Sequence, residues 1–123
     1  MLFVQAAAEA TANARAAPVA ISGATGVNAA LINGVYEPTQ EKGLDGRALY
    51  SKRGYPSMCM EHFGGRWGVK PVSNKGTVNC YAYVAGGCAA GACTSRMWKE
   101  SFDGATFQDA PSVKMVAESE VSS

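Results

Sequence analysis

Histidine is almost missing from this chain of 123 residues: His62 is the only one. Any nucleophile that relies on an imidazole base must therefore use that residue. Excess charge of either sign is missing too, with 11 basic and 10 acidic residues and a net charge of +1. Nucleic-acid binding needs a surplus of Lys and Arg on one face, so that class is set aside. No apolar run approaches the roughly 20 residues that cross a bilayer as a helix. Large apolar side chains are scarce as well: Leu, Ile, Val and Phe number 21 of 123, a proportion found in disordered chains. Disorder also requires a large net charge, which this chain lacks. What is present instead is Gly, with 14 residues, together with 5 Tyr and 2 Trp. That composition describes one folded domain with thin apolar layers and many turns.

The first 17 residues, MLFVQAAAEATANARAA, differ from the rest. They are Ala-rich, helix-favouring and end just before Pro18. Leu2, Phe3 and Val4 form an apolar cluster at the start. Ala14-Arg15-Ala16 matches a small-x-small cleavage pattern, but the apolar stretch is too short for a full secretion signal. The expectation is a retained helical or extended docking arm over 1–17, with Leu2, Phe3 and Val4 touching a protein partner. From residue 18 to 116 the pattern is one of short strands: 19–22, 31–37, 47–52, 57–63, 67–71, 79–84, 96–101 and 112–116. Gly64-Gly65 is a two-residue hairpin signal, and Asp45-Gly46 and Asp103-Gly104 are two more turns. The spacing predicts a mainly β fold, an antiparallel meander of about 8 strands closing into a barrel or sandwich. Residues 117–123 read as a disordered polar tail.

Ile21-Ser22-Gly23-Ala24-Thr25-Gly26 looks like a strand entering a phosphate-binding turn. A dinucleotide site needs a helix after that turn and a second parallel strand. Asn33-Gly34, a strong turn signal, interrupts any helix from Val27 within two turns. Two short segments joined by a tight glycine turn are the better reading, and a nucleotide-binding enzyme is only a further alternative.

Four cysteines remain: Cys59, Cys80, Cys88 and Cys93. Cys88 and Cys93 form a C-x4-C knuckle, but Cys59 and Cys80 stand far apart without a helper His, so no metal site is expected. The remaining readings are two disulfides in an oxidising compartment or four free thiols in a reducing one. The preferred bridges are Cys88–Cys93, closing a Gly/Ala-rich loop, and Cys59–Cys80, joining core strands. His62 alternates with Met58 and Met60 along one strand, opposite Cys59, Glu61 and Phe63, which rules out a Cys59–His62 dyad. Glu37 and Glu61 could be pictured as paired acids, but solvated strand carboxylates are the ordinary case. Trp67, Trp98, Tyr36, Tyr50, Tyr81 and Tyr83 could line a sugar-stacking face or, more commonly, fill a core.

Gly23-Ala24-Thr25-Gly26, Ile32-Asn33-Gly34-Val35-Tyr36-Glu37-Pro38-Thr39, Tyr50-Ser51-Lys52-Arg53-Gly54-Tyr55-Pro56 and Trp67-Gly68-Val69-Lys70-Pro71 carry a resemblance. Together with Tyr81–Val84, Trp98 and Pro111-Ser112-Val113, they resemble a repeated β-domain of algae and related protists, over about residues 18–116. The resemblance implies an architecture and no catalytic residues. It also implies that Cys59-Met60-Glu61 replaces a Trp-Leu-Glu, with Cys59 in a core aromatic position. The expectation is a non-catalytic module with no cofactor, an accessory subunit of protein partners. The host implied is a large membrane-bound complex, a thylakoid photosystem assembly in the plastid ahead of a mitochondrial or cytosolic one. A carbohydrate-binding, lectin-like domain is the alternative.

Overall fold

The computed structural model describes residues 17–92, 97–101 and 106–120. The expected arm, with Leu2, Phe3 and Val4, lies outside the described residues, as do Cys93 and the Asp103-Gly104 turn. The fold is mainly β: among the described residues, nine antiparallel strands form one curled half-barrel sheet. In chain order they are β1 (Val19–Ser22), β2 (Gly34–Lys42), β3 (Ala48–Lys52), β4 (Met58–Phe63), β5 (Arg66–Pro71), β6 (Ala82–Ala85), β7 (Trp98–Ser101), β8 (Phe107–Ala110) and β9 (Lys114–Ala117). One helical turn, α1 (Ala29–Ile32), stands between β1 and β2. Strands β1 to β8 run as a meander, and β9 returns to pair with β1. The two edges of the sheet, β8 and β9, are thus consecutive in the chain, linked only through Pro111-Ser112-Val113.

Alternation along each strand builds the core. His62 pairs with Trp67, Trp67 with Val84, Val84 with Trp98 and Trp98 with Ala110, giving one inward row across five strands. A neighbouring row runs Tyr50, Met60, Val69, Ala82 and Glu100, which pairs with Gln108 of β8. Both indoles are buried, and Trp98, Tyr36, Met60 and Met115 are among the largest fully enclosed side chains. A chain poor in Leu and Ile thus fills its interior with aromatic and Met side chains, each burying more area than an aliphatic one.

Local chemistry sets the turns and breaks. Gly64 and Gly65 have φ of 62° and 79°, the double left-handed turn that matches strand twist and that only such residues adopt freely. Strand β2 carries Pro38, which cannot donate to a ladder. Its register with β3 shifts between Pro38 and Lys42, and the Thr39 hydroxyl bonds Leu49 O at 2.8 Å across the break.

The structure corrects three expectations. Residues 31–37 are not one strand, because 29–32 close a helical turn with Asn33 N bonded to Ala29 O. Strand β8 went unread: Gln108 and Asp109 face solvent, so no apolar alternation marks it. The polar tail does not begin at 117. Ala117 belongs to β9, Glu118–Glu120 form a 3-10 turn, and Glu118 binds Arg53 at 2.6 Å.

Candidate functional site

The glycine-rich turn after β1 binds an anion, and that anion is part of the chain. Gly26 N donates to Glu100 Oε2 at 2.8 Å and Thr25 N to Oε1 at 3.3 Å. Glu100 comes from the inner face of β7 and is 1 % exposed. Asn33 completes the turn, its amide accepting from Ala24 N and donating to Ala24 O. A side chain at Gly23, whose φ is 89°, would place Cβ 1.8 Å from Ser112 O. The turn is therefore pressed against the link between β8 and β9, and only glycine fits there. At the other end of α1, Lys52 Nζ donates to Ala30 O at 2.7 Å and Leu31 O at 2.9 Å, and Tyr36 Oη to Ile32 O at 2.7 Å. Burial pushes the Lys52 ammonium below its ordinary pKa. A cation at the carbonyl end matches the partial negative charge of that end of a helical turn. The segment works as a plug in the half-barrel. A nucleotide phosphate would have to displace Glu100 from its amides.

A second cluster lies where the 43–47 turn meets the 86–91 loop. His62 Nδ1 faces Asp45 Oδ2 at 2.5 Å, and Nε2 faces Gly86 O at 2.9 Å. Trp67 Nε1 donates to Cys88 O at 2.8 Å, and Arg47 donates to Gly87 O and Cys88 O at 2.9 and 3.1 Å. Three successive loop carbonyls are thereby held by strand and turn side chains. Desolvation acts to raise the Asp45 carboxyl pKa, but the Arg47 backbone amide and His62 outweigh it and hold it below the ordinary value. Between turn and loop is a cavity of about 390 Å³ lined by Lys42, Arg47, Tyr50, Trp67, Ala89 and Ala90. Both ring nitrogens of His62 are thus engaged by groups of the fold, a carboxylate and a backbone carbonyl.

On the outer face of β4 and β5, Lys70 Nζ donates to Glu61 Oε1 at 2.8 Å and to Thr77 O at 2.7 Å. Gly76 N donates to the same carboxylate at 3.0 and 3.2 Å. Residues 72–80 fold across this pair and bury it. Glu37 lies elsewhere, exposed and bound to Arg53 at 2.9 Å, so Glu37 and Glu61 are not a working acid pair.

The cysteines divide. Cys88 is disulfide-bonded, and its expected partner Cys93 lies outside the described residues. The expected Cys59–Cys80 bridge does not form: both are free thiols. Cys59 lies beside Lys70 on β4, while Cys80 packs over Gly68, whose missing side chain leaves the slot it fills. Burial pushes Cys59 up to about 11 and raises Cys80 as well. Cys59 is buried, but outside the main core cluster. Among the described residues, no three His, Cys, Asp or Glu gather as metal ligands. Trp67 and Trp98 are 2 % and 1 % exposed, so they make no stacking face for sugar. Trp98 Nε1 is the one buried side-chain polar atom among the described residues with no partner.

Sequence reasoning passed over Glu100, Lys52, Asp45 and Arg47. A signal existed for two of them. Glu100 is two residues beyond Trp98, and Lys52 two beyond Tyr50, so strand alternation places both on the core face. No family model, curated protein or solved structure matches the chain. No helix among the described residues is long and apolar enough to cross a membrane.

Proposed function

We propose that this chain is a non-catalytic protein-interaction module, an accessory subunit of a larger assembly. The observation that carries the reading is that, among the described residues, the buried acids, lysines and histidine are consumed within the fold. Glu100 binds the turn amides, Glu61 binds Lys70, Lys52 binds the α1 carbonyls, and His62 is held from both sides. Catalysis needs at least one such group free to face a substrate. Leu44 at the β2–β3 turn and Val27 beside α1 add support, being 82 % and 77 % exposed at positions where turns usually carry polar residues. The apolar residues Leu2, Phe3 and Val4 are the proposed anchor. The finer proposal, from the sequence resemblance, is a photosynthetic complex at the thylakoid membrane. Native mass measurement on material from the source tests the reading. Co-migration with larger subunits is expected, and a monodisperse free monomer sinks it.

A further inference from the structure

Of the three arginines among the described residues, Arg66 is the one without a carboxylate partner. Among the described residues, Arg47 pairs with Asp45, and Arg53 with Glu37 and Glu118. No described carboxylate reaches Arg66. Its guanidinium lies over the Tyr83 ring at 4.0 Å, and one amino group donates to Val78 O at 2.9 Å. Tyr83 in turn meets Phe107 edge to face, with ring centroids 5.2 Å apart. Stacking and one hydrogen bond thus fix the plane of a cation that keeps unused N–H donors.

Arg66 and Phe107 both line a half-open cavity of about 500 Å³ on the outer face of the sheet, together with Asn74, Val78, Asn79 and Tyr81. That volume is in the range of small-molecule sites, which combine apolar walls with a few placed polar groups. Here the walls are an aromatic ring, a phenol and an isopropyl group, and the polar groups are one guanidinium and two amides. We infer that this cavity binds an organic monocarboxylate on a flat aromatic body, with the carboxylate on Arg66 and the ring against Phe107 and Tyr81. One planar fork matches one carboxylate. A phosphate dianion calls for more than the single cation that lines the cavity. Cys80, which also lines it, stays a protonated thiol at neutral pH and serves as wall. Tyr83 touches the ligand only through Arg66 and Phe107, which makes it a positioning residue.

Titration of the full chain with sodium benzoate, followed by amide chemical shifts, tests the site. Shifts are expected at Arg66, Tyr81 and Phe107, with benzamide, the neutral isostere, binding about tenfold more weakly. Arg66→Gln is expected to lower benzoate affinity about tenfold and to abolish the preference for benzoate over benzamide. Equal binding of benzoate and benzamide overturns the inference, as does full benzoate affinity in Arg66→Gln. Shifts confined to other surfaces, or none up to the solubility of benzoate, overturn it as well. The comparison of the two probes uses the unaltered protein, so it stands even if the variant folds poorly.

Discussion

Glu100 illustrates how single residues are used in this fold. A buried carboxylate costs several kcal/mol unless it is paired, and here two backbone amides supply the compensation. Glu100→Ala removes the acceptor and leaves both amides without one. Urea unfolding is expected to show a loss of about 3 kcal/mol, with Glu100→Gln losing about half of that. An unchanged midpoint in the Ala variant shows that water replaces the carboxylate and that the plug does not depend on it. Asp45 gives a pH-dependent counterpart. Its folded pKa lies below the ordinary carboxylate value because the Arg47 amide and His62 stabilise the ionised form against desolvation. The contribution is therefore present above the unfolded pKa of about 3.9 and lost as pH falls through the lower folded value. Stability measured from pH 6 downward is expected to show this loss in the native chain and not in Asp45→Asn. The free thiols supply a third check. Burial lifts Cys59 to about 11, so almost no thiolate exists at pH 8, and Cys59 should react with a disulfide reagent only after denaturation.

The elements show how far alternation and turn chemistry carry a reading. Strand β1 ends where expected because Val19 and Ile21 alternate before a glycine, and the β4–β5 hairpin follows from Gly64-Gly65. The face assignment on β4 is equally direct: Met58, Met60 and His62 point one way, Cys59 and Glu61 the other. Strand β8 escapes because its middle residues face water and nothing local sets it apart. The anion-binding turn was legible as a turn but not as a site. Its ligand is 74 residues away in sequence, and only the meander brings it back. The same holds for the pair on the outer face, where burial arises because residues 72–80 fold over Glu61 and Lys70. Breaking that pair tests how the covering segment is held. Lys70→Met leaves an enclosed carboxylate and is expected to cost about 3–5 kcal/mol, whereas Lys70→Met with Glu61→Leu recovers most of it. Failure of the double variant to recover indicates that the Gly76 amide, left without its acceptor, carries the cost instead.

At the scale of the whole molecule, both ends of the half-barrel are covered by segments of its own chain. The plug takes one set of strand ends, and the 86–91 loop lies against the opposite region, Gly91 approaching Val19 and Ala117. Chain preceding β1 leaves from that region, since Pro18 O accepts from Glu118 N and Val19 pairs with Ala117. The described ladders, the plug and the buried ion pair are each built from bonds between residues within 18–118. Deleting residues 1–17 is therefore expected to leave the thermal midpoint within about 2 °C. Attachment is a different matter under the proposed function, because Leu2, Phe3 and Val4 are then the apolar anchor. The deletion variant should lose co-purification with its host assembly, and Leu2→Asp with Phe3→Asp in the full chain should lose it equally. Residues 1–17 also lack the Lys/Arg-rich polar face of a membrane-surface helix, so vesicles should not capture the free chain. Retention of the deletion variant at full occupancy moves the contact to the turn tips. Leu44→Asp and Val27→Asp, each exposed and free of core packing, then become the variants that release it.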